Sequence, residues 1–293
     1  MKDRNTTYRI TQDFPLLLDS SPYRPKILYV QGTLPKGTGI AMVGTRRPSS
    51  NAQDLCRRLV RSLRGTDAVV VSGLAQGIDS FCHEAALEEN IPTIAVLAQG
   101  LEVKIQGSRG ELAKRILESG GVLVSEFPLD LESRKGCFVA RNRIISGLSK
   151  CTVIVQSKAK GGALITGELA RKEGKPLYAC PGDFDNEVAG GTNQLLDQGL
   201  ASPVFMPENL YKVVGLPKEK GQNLERLHAS GCSLSPESME LLRHFKGFRK
   251  TFPEIQTCVG LGTPKVLAIL TELEIAGFVH SEDNFQFYFD GEL

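Results

Sequence analysis

A phosphate is held by basic side chains beside glycine at the start of a helix. Glycine lets the backbone come close, the helix N-terminus offers free N–H groups, and arginine or lysine adds charge. Two stretches of this chain have that make-up: Gly44-Thr45-Arg46-Arg47-Pro48-Ser49 and Ser157-Lys158-Ala159-Lys160-Gly161-Gly162-Ala163. A third glycine-bearing loop, Ser72-Gly73-Leu74-Ala75-Gln76-Gly77-Ile78-Asp79, carries no cation. It reads equally well as a ligand contact or as a tight turn with Asp79 capping the next helix. A fourth follows at Pro181-Gly182-Asp183, with Gly190-Gly191-Thr192-Asn193 soon after.

Residues for covalent or acid–base chemistry are not arranged for it. The four histidines are scattered, and the seven cysteines (Cys56, Cys82, Cys137, Cys151, Cys180, Cys232 and Cys258) contain no C-x-x-C pair. Neither set has metal-ligand spacing, and several cysteines sit in apolar runs as buried free thiols do. No Cys–His, Ser–His–Asp or paired-carboxylate constellation follows from spacing. Glu126 could act as a base, but pairing with Arg141 or Arg143 is the simpler expectation. Those two arginines otherwise read as solvated positions on a helix, and His83 as a packed or hydrogen-bonded one. The expectation is a binding protein with no cofactor and no metal.

These loops need a frame. Six short apolar runs, Gly39–Gly44, Ala68–Ser72, Thr93–Leu97, Val122–Ser125, Thr152–Gln156 and Pro176–Cys180, alternate with helix-like stretches. That alternation predicts a doubly wound, mostly parallel α/β sheet, with each loop just after a strand, on the edge where such sheets bind ligands. Residues 1–38 read as an N-terminal segment with one edge strand at Lys26–Gln31. The main domain spans 39–206, and residues 207–234 read as a linker with a short helix near its start. Residues 235–293 look different: three helices and a terminal hairpin joined by Glu282-Asp283-Asn284 describe a small winged-helix-like domain.

Charge supports this division. The 293 residues carry 35 Lys+Arg against 33 Asp+Glu, but residues 1–217 hold 27 against 22 and residues 218–293 hold 8 against 11. The net +2 therefore divides into +5 and −3, and a polyanion belongs with the first part. No apolar run reaches membrane-spanning length, and no signal core follows the N-terminus, so a cytoplasmic protein without membrane contact is expected.

The same loops resemble the DprA/Smf family of DNA-processing proteins. The matching words are Phe14-Pro15, Ala41-Met-Val-Gly-Thr-Arg46, Val71-Ser-Gly-Leu-Ala-Gln-Gly-Ile-Asp79 and Val124-Ser-Glu-Phe-Pro128. They continue with Arg141-Asn-Arg-Ile-Ile-Ser-Gly-Leu-Ser149, Lys160-Gly-Gly-Ala-Leu-Ile-Thr166, Pro181-Gly182 and Gly191-Thr-Asn193. The resemblance implies a Rossmann-like core that binds single-stranded DNA, helps load the RecA recombinase during natural transformation, and forms a homodimer. It implies a DNA pocket that uses Arg46 and Lys160, with Arg141 and Arg143 as further phosphate contacts; the loops around them add Gly44, Thr45, Arg47, Ser72, Gly73, Gly77, Lys158, Gly161, Gly162 and Asn193 as expected contacts. Residues 129–138 depart from the family's aromatic-His-Phe-Pro pattern, which leaves Phe138 as the face for base stacking.

Two other readings compete. The Gly161–Glu168 stretch has a glycine pair and a glutamate, as lysine-decarboxylase-like nucleotide phosphoribohydrolases do, though the spacing differs. An NAD-dependent oxidoreductase shares the fold class, but the chain lacks G-x-G-x-x-G.

Overall fold

In the computed structural model the described residues are 8–11, 17–217, 234–245, 249–276, 278–282 and 286–289. Phe14-Pro15, Cys232, the expected linker from 218 to 233 and the hairpin turn at 283–285 lie outside them. The chain divides into two compact units, Met1–Lys218 and Glu219–Leu293.

The first unit is built on a nine-stranded sheet. Its strands are β1 (Tyr8–Thr11), β2 (Leu28–Gly32), β3 (Thr38–Val43), β4 (Ala68–Ser72), β5 (Thr93–Val96), β6 (Val122–Ser125), β7 (Cys151–Ile154), β8 (Leu177–Ala179) and β9 (Ser202–Pro203). Their order is β1-β2-β6-β5-β4-β3-β7-β8-β9, with β1 and β2 antiparallel and the others parallel. All six apolar runs are strands of this sheet, and it is Rossmann-like. Both faces are covered. Ile40 and Met42 of β3 point into a core with Cys56, Leu59, Val60 and Ile78, while Ala41 and Val43 point into a second core with Ile144, Ile145 and Leu148. A strand buried on both sides needs the continuous apolar run seen here.

The helices are α1 (Ala52–Arg61), α2 (Ile78–Glu88), α3 (Ser108–Glu118), α4 (Lys135–Gly147), α5 (Ala163–Lys172), α6 (Gly190–Asp197) and α7 (Leu210–Val213). Helix α1 buries Ala52, Cys56, Leu59 and Val60 along one stripe, with Asp54 in its first turn and Arg58 and Arg61 in its last, as the helix dipole favours.

Two expectations at the edges are corrected. The strand near Lys26–Gln31 is not an edge: β2 pairs with β6 on one side and β1 on the other. Residues 207–217 are not linker, because Leu210, Tyr211, Val214 and Leu216 are buried in the same core as α1 and α2.

The second unit has helices α8 (Pro236–Phe245), α9 (Phe252–Val259) and α10 (Thr263–Ile275), and a three-stranded sheet. Its strands β10 (Arg249–Thr251), β11 (Val279–Glu282) and β12 (Gln286–Phe289) lie in the order β10-β12-β11. Thr251 and Glu254 form a capping box at the start of α9, and Gly260 ends it at φ 64°. Leu241, Phe245, Ile255, Leu270, Leu273, Phe278 and Phe289 form a core of its own. No described helix is long and apolar enough to cross a membrane.

Candidate functional site

Strand order decides where the two basic loops meet. From β3 the chain winds outward through β4, β5 and β6, then returns to place β7 on the other side of β3. The β3/β7 boundary is thus the topological switch point, where strand ends leave a crevice. Gly44–Arg47 follows β3 and Ser157–Gly162 follows β7, so the crevice is walled by both basic loops.

The first loop is fastened on two sides. Thr45 N–H donates to the Gln156 carbonyl at 2.8 Å, and Ile78 N–H donates to the Thr45 carbonyl at 3.2 Å. The Gln156 amide exchanges hydrogen bonds with Ser49 at 3.1 and 2.6 Å. A Cβ on Gly44 would lie 2.5 Å from the Ile78 side chain, and one on Gly77 (φ 87°) 2.5 Å from the Thr45 carbonyl. Both glycines are therefore required by close packing.

The result is a pocket of about 340 Å³, lined among others by Gly44, Thr45, Arg46, Phe138, Lys158, Lys160, Gly161, Gly162 and Thr166. Arg46 and Lys160 are exposed, and neither meets a carboxylate among the described residues. The Arg46 guanidinium lies over the Phe138 ring, 4.8 Å from its centre. Helix α5 begins at Ala163, and Gly162 has open space around it. Two cations that meet no carboxylate among the described residues, the positive end of a helix and an aromatic face make a site for a phosphate with a base beside it.

The floor is a buried polar assembly centred on Gly73. Asp79 Oδ2 accepts from Gly73 N–H at 3.2 Å and from Ala75 N–H at 3.4 Å. Arg141, on α4, donates from Nη1 to the carbonyls of Gly73 at 2.5 Å and Val96 at 2.7 Å. Burial raises the Asp79 pKa, against the pull of Arg141 and of N–H bonds from Ala75, Gly73 and Gly44. Burial likewise lowers that of Arg141, with Asp79 opposing. A Cβ on Gly73 would collide with Arg141 Nη1. Beside it Leu74 holds φ 53°, a strained conformation for leucine, kept by its burial in a core with Leu97, Leu101 and Leu112.

The expected site residues thus separate. Arg46, Phe138, Lys158, Lys160, Gly44, Thr45, Gly161 and Gly162 come together at the pocket, and Arg47 is exposed beside them. Arg141 reaches the pocket only as its floor, 4% exposed. The other five do not line it: Gly73 and Gly77 are buried, Gly73 against Arg141 and Gly77 against the Thr45 carbonyl. Ser72 is fully buried and donates to the Met42 carbonyl at 2.6 Å. Arg143 bonds Glu126 and the Tyr23 carbonyl, the pairing expected for Glu126. Asn193 brackets Gly182, accepting from its N–H at 3.1 Å and donating to its carbonyl at 2.9 Å. The spacing of these words did not reveal Asn142, Val139, Ile145 and Ile165, which also line the pocket.

Glu168, the carboxylate that a phosphoribohydrolase would use, pairs instead with Arg171 at 2.8 Å and Lys172 at 3.8 Å. His83 is buried against Thr93 at 2.7 Å, and burial lowers its pKa to about 3. Cys151 and Cys180 are pushed up to about 12 by burial, so these thiols stay protonated. Among the described residues no group of three His, Cys, Asp or Glu could hold a metal ion.

Comparisons with known proteins show the family of the chain. The DNA recombination-mediator protein A family matches residues 5–215. Protein Smf of Escherichia coli strain K12 is 34% identical over 271 residues, covering 90% of this chain and 72% of that protein. The DNA processing protein DprA of Bacillus subtilis strain 168 is 34% identical over 224 residues, covering 75% and 74%. The crystal structure of DNA processing protein A from Streptococcus pneumoniae aligns with TM-score 0.64 and 30% identity, over 71% of this chain and 74% of that one. That of DNA processing protein A from Helicobacter pylori, solved for its single-stranded DNA binding mode, aligns with TM-score 0.65 and 30% identity, over 72% and 96%.

Proposed function

Because the chain belongs to the DprA/Smf family of DNA recombination mediators, we propose that its pocket binds single-stranded DNA and that the protein hands the strand to the RecA recombinase. One observation carries the reading: Arg46 and Lys160, from loops more than a hundred residues apart, meet on one pocket at the switch point without a carboxylate partner among the described residues. Phosphates sit against these cations and the start of α5, and Phe138 offers a face to a base. Arg141 and Asp79 hold the loops in place from below. A flexible single strand can present both phosphate and an unstacked base to such a pocket; a duplex keeps its bases stacked.

The reading has the protein act as a binding mediator and not as an enzyme, without cofactor, in the cytoplasm, as a homodimer. It takes residues 39–206, joined by β1 and β2 of the same sheet and extended to 217 by the buried α7 segment, as the DNA-binding domain and residues 235–293 as a winged-helix-like module. That module's candidate recognition helix α10 carries Lys265 against Glu272 and Glu274, so few phosphates are neutralised there and a protein-contact role fits better.

The test is a titration of single-stranded oligonucleotide across a salt series with Arg46→Ala and Lys160→Ala. Each weakens binding strongly and lowers the salt slope by about one for every phosphate that is no longer neutralised. Unchanged affinity in both variants overturns the reading.

A further inference from the structure

We propose that Glu187 is an affinity-limiting residue of this pocket: it holds Lys158 in an ion pair at the rim, and a phosphate must take Lys158 from it. The inference rests on reading the pocket as a nucleic-acid site. Lys158 Nζ lies 2.7 Å from Glu187 Oε2, with side chains 43% and 78% exposed. Of the three cations at the mouth, Arg46, Lys158 and Lys160, only Lys158 meets a carboxylate among the described residues.

Glu187 does not hold its own loop together. The 3-10 turn Glu187–Ala189 is capped by Asn186, whose side chain accepts from Val188 N–H at 3.1 Å. Asn193 fixes Gly182, and Gly191 N–H donates to the Ser157 carbonyl at 2.7 Å. Those bonds seat the β8 loop beside the β7 loop, and the Glu187 carboxylate touches only Lys158 among the described residues. The β8 loop also exposes Asp183 and Asp185 on either side of Phe184, itself 91% exposed. An otherwise basic edge therefore carries one acidic flank, and Glu187 is where that flank reaches the pocket. An exposed ion pair is weakly held. Charge-assisted bonds from a phosphate can replace it, but only once the pair with Glu187 is broken.

The experiment compares the full chain with Glu187→Gln, Lys158→Ala and the double variant in binding a fluorescent oligodeoxythymidine across a salt series, with Arg46→Ala in parallel. Glu187→Gln binds about two- to fivefold tighter at low salt, with a salt slope steeper by up to about one. The gain disappears when Lys158→Ala is added. If Glu187→Gln matches the unaltered protein while Arg46→Ala is weakened, this inference alone is overturned. A gain that survives Lys158→Ala also overturns it. If Arg46→Ala binds as well as the unaltered protein, the pocket reading falls and this inference with it.

Discussion

The Arg46 guanidinium stands 4.8 Å from the centre of the Phe138 ring, so a cation from the β3 loop and an aromatic from α4 form one surface. A cation over an exposed ring gains about 0.5–1 kcal/mol. A base stacked on an aromatic gains about 1–3 kcal/mol. Phe138→Ala should therefore weaken single-strand binding by about tenfold and duplex binding much less, while Phe138→Trp retains it. Equal losses on single strand and duplex would mean that the ring only props Arg46.

The floor makes a different prediction. Arg141 places a charged donor on the carbonyls of Gly73 and Val96 and faces buried Asp79. Arg141→Ala leaves two buried acceptors without a donor and Asp79 without its compensating charge, a loss of about 3–5 kcal/mol. Thermal melting should fall by roughly 10 °C, whereas Lys160→Ala, at an exposed position, melts like the unaltered protein. Loss of binding by Arg141→Ala with normal melting would instead make Arg141 a direct contact.

What the sequence shows and what it hides follow from the range of each interaction. Phosphate chemistry is local, a glycine and a cation within a few residues, so both basic loops could be read from the chain. Strand order is not local: that the β3 and β7 loops adjoin follows from a crossover which the apolar runs cannot encode. Arg141 and Arg143 shared a word, yet two positions apart on a helix point to opposite sides. One went under Gly73 and the other to Glu126. Leu210, Tyr211, Val214 and Leu216 were hidden by Pro207, Pro217 and Lys218 around them, although their spacing marks an apolar face.

The glycines separate packing from ligand approach. Gly77 holds φ 87° with the Thr45 carbonyl 2.5 Å from its would-be Cβ, while Gly162 sits at φ −63° with open space around it. Gly77→Ala should lose more than about 1 kcal/mol of stability in urea denaturation. Gly162→Ala should unfold normally and bind single strand several-fold more weakly, because the added methyl group faces only the pocket. Normal binding by Gly162→Ala would show that no ligand comes close to the start of α5.

His83 gives the fold a pH dependence of definite sign. Thr93 Oγ1 donates to the Val70 carbonyl at 2.8 Å, so it must accept from His83 Nδ1–H at 2.7 Å. The other ring nitrogen is buried without a partner among the described residues. Burial, with Arg141 adding to it, lowers the folded pKa to about 3, against about 6.5 unfolded. Between those values the unfolded chain binds the proton and the folded one does not. The stability from neutral His83 is complete above about pH 6.5 and is lost as pH falls towards 3, at up to about 1.4 kcal/mol per unit. From pH 7 to 5 the loss is about 2 kcal/mol. Asp79, raised in the fold, works in the opposite sense, favouring the folded state as pH falls. His83→Asn keeps a donor for Thr93 and removes the titration, so its stability should change little over that range. A variant as acid-sensitive as the unaltered protein would place the titrating group elsewhere.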